Sequence, residues 1–144
     1  MATSALKDAI GLERQDAMLS FGSTGAISAG TIPFGKTTAN EDGTYLDLGN
    51  TDLEGMAVVV NFTTGVTGSG TGTINVSVSN DSGSSWTVIA TSGAIAASKL
   101  TEGAQFNVPI PRGHEQGNLM KVELVAVSLT AGEAEAYVDT YVGA

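Results

Sequence analysis

Cysteine is absent from the 144-residue chain. That excludes disulfides, thiolate metal sites, iron–sulfur clusters and a cysteine nucleophile. A single histidine excludes any mechanism or metal site that needs two imidazoles. Basic residues are scarce: six Lys and Arg stand against fifteen Asp and Glu, a formal net charge of −9. Such a field repels phosphate backbones and anionic lipid headgroups, so neither nucleic acid nor a membrane surface is an expected partner. No apolar run approaches the ~18 residues of a membrane-spanning helix. The opening MATSALKDAIGLERQDAM has no continuous apolar stretch of the kind a secretion signal carries. What remains is 42% hydrophobic and of single-domain length, which lets a chain bury roughly 68–70% of its unfolded surface without staples. The composition predicts a soluble, acidic, non-enzymatic chain.

Charged residues make up only 15% of the sequence and glycines number 19, which argues against a helical bundle and for strands joined by turns. The periodicity agrees. In residues 73–79 Ile74, Val76 and Val78 alternate with polar residues, and in 119–127 Met120, Val122 and Leu124 face away from Lys121 and Glu123. Residues 56–64 form a more continuous apolar run, as a central strand does. Residues 85–91 alternate through Trp86, Val88 and Ala90, 105–110 through Phe106, Val108 and Ile110, and 134–142 closes the series. With 44–49 and weaker candidates at 19–22 and 31–35, the expectation is about seven to nine strands in an antiparallel β-sandwich, with at most one short helix. The Gly-rich 65–72 reads as a flexible hairpin loop.

Residues 1–43 read differently, as an N-terminal arm or partner-ordered segment ahead of a β-sandwich domain at 44–144. Apolar residues are scattered there among Gly, Ser and Thr, too few to offset an ordering cost of ~1–2 kcal/mol per residue without a borrowed surface. Leu19, Phe21, Ile32 and Phe34 are its candidate anchors on a sister subunit or a larger partner. The other reading is a strand lying on the chain's own sandwich.

Few constellations suggest chemistry. Residues 79–86 read SxDxGxxW, similar to the Asp-box hairpin of sialidase-like propellers. In that reading Asp81 folds back on turn amides, Gly83 takes positive φ and Trp86 covers the turn. A propeller needs four or more blades of ~40–50 residues, too many for this length. The two arginines, Arg14 and Arg112, cannot make a sialidase cluster. His114 lies in a Gly-containing loop with no nucleophile elbow nearby. The acidic pairs Glu41–Asp42, Asp52–Glu54 and Glu133–Glu135 follow no EF-hand spacing. We therefore expect no catalytic residues, no cofactor and no metal.

The order of segments carries more information. Asp47-Leu48-Gly49, then Ser79-Asn80-Asp81, then Leu100, Gly103 and Phe106 ahead of Pro111-Arg112-Gly113, then Thr130-Ala131-Gly132, resembles the capsid cement (decoration) proteins of tailed bacteriophages. The resemblance covers residues 44–142, and the Leu-x-x-Gly-x-x-Phe…Pro-Arg-Gly stretch is its most specific part. It implies a jelly-roll sandwich, made in the host cytoplasm and located on the outer capsid surface of the virion. There it would form a homo-oligomer, a dimer or trimer at a capsid symmetry axis, and clamp neighbouring major capsid protein subunits against internal pressure. The loop 111–117, with Pro111, Arg112 and His114, is a further candidate contact. The alternative from a different class is a carbohydrate-binding β-sandwich, lectin-like or from a tail fibre, for which Tyr137 and Tyr141 are the one same-face aromatic pair.

Overall fold

The computed structural model describes residues 20–35, 46–47, 56–111 and 119–140. Its strands are β1 (Ser20–Ser23), β2 (Gly30–Pro33), β3 (Leu46–Asp47), β4 (Met56–Ser79), β5 (Thr87–Ala96), β6 (Gln105–Pro109) and β7 (Leu119–Thr140), with one 3-10 turn at Ala97–Lys99. All seven strands belong to one sheet in which every pairing is antiparallel. The all-β expectation is met.

Two strands organise the rest. β4 and β7 pair along their whole lengths, from Met56 opposite Thr140 to Ser79 opposite Leu119. The free side of β4 is taken by β5 along residues 71–78 and by β6 along residues 57–61. The free side of β7 is taken by β3, β2 and β1 in turn. Midway, the register shifts: Phe62 faces Ala134 and Gly72 faces Ala126, so ten steps along β4 match eight along β7. A slip of one would turn every later side chain inside out, whereas a net slip of two keeps the faces. Val58, Val60, Phe62, Ile74, Val76 and Val78 of β4 and Met120, Val122, Leu124, Ala134, Ala136 and Val138 of β7 accordingly share one core.

The irregular stretch is a corner. The amide of Gly35 donates to the carbonyl of Ser23 at 3.1 Å, although Ser23 pairs with Glu135 and Phe34 donates to Val122. On a straight strand those two stations of β7 would stand about 40 Å apart. The sheet therefore folds over, and its two halves close on one core. Backbone approach at the corner requires glycine: a Cβ on Gly70 would lie 1.7 Å from the Val127 carbonyl oxygen. The link from β5 to β6 crosses this corner, with Val66 donating to the Leu100 carbonyl and Phe62 to that of Ala104. Phe106 then meets Phe62 edge-on at 5.9 Å.

Three expectations change. The predicted loop 65–72 is strand, so 56–64 and 73–79 are one element, and 119–127 and 134–142 likewise belong to one strand as far as Thr140. The row Trp86, Val88, Ala90 is broken, because Ser77 pairs with Val88 and Val76 with Ala90, leaving Ile89 as an extra residue that returns Ala90 to the core side. Finally, residues 20–35 are not an arm. Phe21, Ile27 and Phe34 sit in the chain's own core, and Thr24 and Ile27 donate to the Ala134 and Gly132 carbonyls. The boundary at 43/44 divides one sheet, since the unpaired flank of β7 supplies the surface that this segment borrows.

Candidate interaction surfaces

The hairpin between β4 and β5 is built from short polar side chains. Ser79 Oγ donates to Asp81 Oδ1 at 2.7 Å and accepts the Gly83 amide at 2.9 Å. The other direction is closed by Ser85, whose amide donates to Asp81 Oδ1 at 2.9 Å and whose hydroxyl donates to Oδ2. These donors stabilise the charged carboxylate: the Ser85 hydroxyl foremost, then its amide, then Ser79 hold the Asp81 pKa down to about 2. Ser82 and Gly83 both have positive φ, 61° and 89°. Trp86 folds back over the turn, and Lys121 Nζ lies 4.6 Å from its ring centroid while pairing with Glu123 Oε2 at 3.3 Å. The sequence predicted the turn and put Lys121 and Glu123 on one outward face. The Lys121–Trp86 contact was not legible, because it joins positions far apart in sequence.

The outward faces of the two half-sheets differ. Beside β6, the register aligns Tyr137 with Val59 and Asn107, and Glu135 with Asn61 and Gln105. Gln105 Nε2 donates to the Tyr137 hydroxyl at 3.2 Å. Burial first, and the Asp139 carboxylate next, push the Tyr137 phenol above its ordinary pKa. Beside β5, one row runs Thr31, Val125, Thr73, Ala94, small and uncharged. Val88 at 56% and Val127 at 54% are the large hydrophobics most open to solvent among the described residues. No residue of β5 is fully buried.

Of the sequence-predicted contact residues, Phe21, Ile32, Phe34 and Pro111 fall among the described residues. Phe21 and Phe34 are fully buried within the chain and Ile32 packs against the same core, so none of the three is an exposed anchor. Pro111 is half-buried just past β6, while Leu19, Arg112, His114 and Tyr141 lie outside the described residues. Glu133 accepts from Ser23 Oγ at 2.6 Å, tying β1 to β7. Among the described residues no three His, Cys, Asp or Glu gather where they could hold a metal ion. The pairs Glu41–Asp42 and Asp52–Glu54 lie outside the described residues.

Fold and surfaces define an all-β protein on one antiparallel sheet, with its accessible groups on two outward faces and along sheet edges. The chain belongs to the Bbp16 family, whose model matches residues 21–138. The match begins at Phe21 and ends at Val138, both core residues, so the family unit includes β1 and β2. A comparison with curated proteins finds no match.

Proposed function

We propose that this protein is a capsid cement protein: a non-enzymatic homo-oligomer, with a jelly-roll-like sandwich fold, that binds the outer surface of a phage head and clamps neighbouring major capsid subunits. The observation that carries the reading is the ordered set Asp47-Leu48-Gly49, Ser79-Asn80-Asp81, Leu100, Gly103, Phe106, Pro111-Arg112-Gly113 and Thr130-Ala131-Gly132 on an all-antiparallel chain. Two of its members have clear structural work: Leu100 is buried beside the corner, and Phe106 packs on Phe62. A protein of this kind needs a rigid scaffold and broad outward faces, because it acts by binding the assembled lattice better than the separated subunits. Its acidity suits a solvent-facing position away from packaged DNA.

The test is co-sedimentation with purified heads that lack the protein. Saturable binding to heads, with little binding to free capsid subunits, and heads that release DNA at a higher temperature once decorated are the expected results. Equal binding to dissociated subunits, or none to heads, would sink the proposal. The second reading, a carbohydrate-binding module, rests on Tyr137 with Gln105, Asn61 and Asn107 on one outward face. Glycan binding by the isolated protein that is lost in Tyr137→Ala would favour it.

A further inference from the structure

An edge strand presents a row of backbone donors and acceptors to whatever can pair with it, and proteins ordinarily guard such edges with charge, proline or a covering segment. β5 has none of these among the described residues. Among the described residues it pairs only with β4, and its residues range from half-buried to exposed. From Ser82 to Ser98 the sequence contains no charged residue and no proline. By contrast β6, the other strand lying on the far side of β4, is half as long and ends in Pro109.

We infer that β5 is the surface on which a second copy of this chain docks, antiparallel, edge to edge about a two-fold axis. The inference deepens the homo-oligomer part of the proposed function and rests on that reading for its biological use. Two observations select a second copy over other occupants. Each copy carries −9, so most of the surface repels its twin, and the uncharged run 82–98 is where two copies approach at least Coulombic cost. An antiparallel pair of identical strands is also self-complementary, as a two-fold interface requires. The extra residue Ile89, unopposed on β4, lies at the centre of Thr87–Thr91, the segment before the second register shift at Ser92–Gly93. The bulge turns Ile89 onto the chain's own core and leaves Thr87, Val88 and Thr91 exposed on the strand that meets the partner. Pairing there would continue the row faces of one sheet into the next.

The cysteine-free sequence gives a clean test. Single cysteines placed in turn at Thr87, Val88, Ile89, Ala90 and Thr91 of the full chain should, under mild oxidation, give covalent dimers. The yield should peak at one position and fall away on both sides. A cysteine at the exposed Thr63, far along β4, should stay monomeric on the same gel. In sedimentation, wild type should run as a dimer, and Val88→Glu with Thr91→Glu, both exposed positions, should weaken association at least tenfold with an unchanged circular dichroism spectrum. A monomer at every concentration, a trimer, or a flat cysteine profile with association unaffected by the glutamates overturns the inference. The two readings fail separately: a β5 dimer that ignores phage heads sinks the cement proposal alone, and a head-binding protein indifferent to these substitutions sinks the edge alone.

Discussion

At the scale of the residue, Asp81 and Gly83 show how a turn can be written into a few side chains. Gly83 at φ 89° lies in the left-handed region, and an added Cβ there would meet Trp86 and Leu119 at an ordinary 3.7–3.8 Å. The cost of a side chain is therefore backbone strain and not lack of room. Gly83→Val should destabilise the fold by about 1 kcal/mol or more in urea unfolding, and no loss would mean that the turn tolerates a branched residue at positive φ. Asp81 makes a pH-dependent contribution of known sign. Its folded pKa of about 2 lies below the usual 3.8, so its stabilising effect is complete above about pH 4 and is lost as the pH falls through 2. The gap in stability between wild type and Asp81→Asn should be widest near neutrality and should close at the acid end of a pH series. A gap independent of pH would assign the effect to shape instead of charge. This much was legible, because Asx and Ser turns are local; Lys121 against Trp86 depends on where β7 lies, which no local pattern states.

At the scale of the element, the strand faces were legible and the strand lengths were not. Period-two alternation put Ile74, Val76 and Val78 on one face and Met120, Val122 and Leu124 on another, and all six are buried. The run Gly65–Gly72 has the composition of a loop because the corner of the folded sheet needs the same property as a loop, freedom from Cβ. Its reason is different: β4 and β7 approach so closely that Gly70 touches the Val127 carbonyl. A reader of the sequence meets the glycine and not the neighbour. Gly70→Ala should consequently cost about 1–3 kcal/mol or more by overpacking, a loss visible as a lower midpoint in thermal unfolding. Unchanged stability would show that the corner can open without penalty.

At the scale of the whole molecule, the question the sequence left open was whether the N-terminal apolar residues serve the fold or a partner. Phe21, Ile27, Ile32 and Phe34 are spaced by glycine and serine and have no period of their own, and their order comes from pairing along the flank of β7 and packing on the shared core. Phe34 separates the two roles. It is fully buried among core side chains, so Phe34→Ala should cost about 3–5 kcal/mol, a large share of the 5–15 kcal/mol that holds a typical domain together. Below its lowered unfolding midpoint the variant keeps its outward faces and its β5 edge, and in the proposed role it should still decorate phage heads and still self-associate. An anchor on a neighbouring subunit would behave in the opposite way, losing decoration while the isolated protein unfolded at the wild-type denaturant concentration. Urea unfolding and head co-sedimentation, measured on the same preparation of Phe34→Ala, therefore decide whether this segment belongs to the domain in energy as it does in hydrogen bonding.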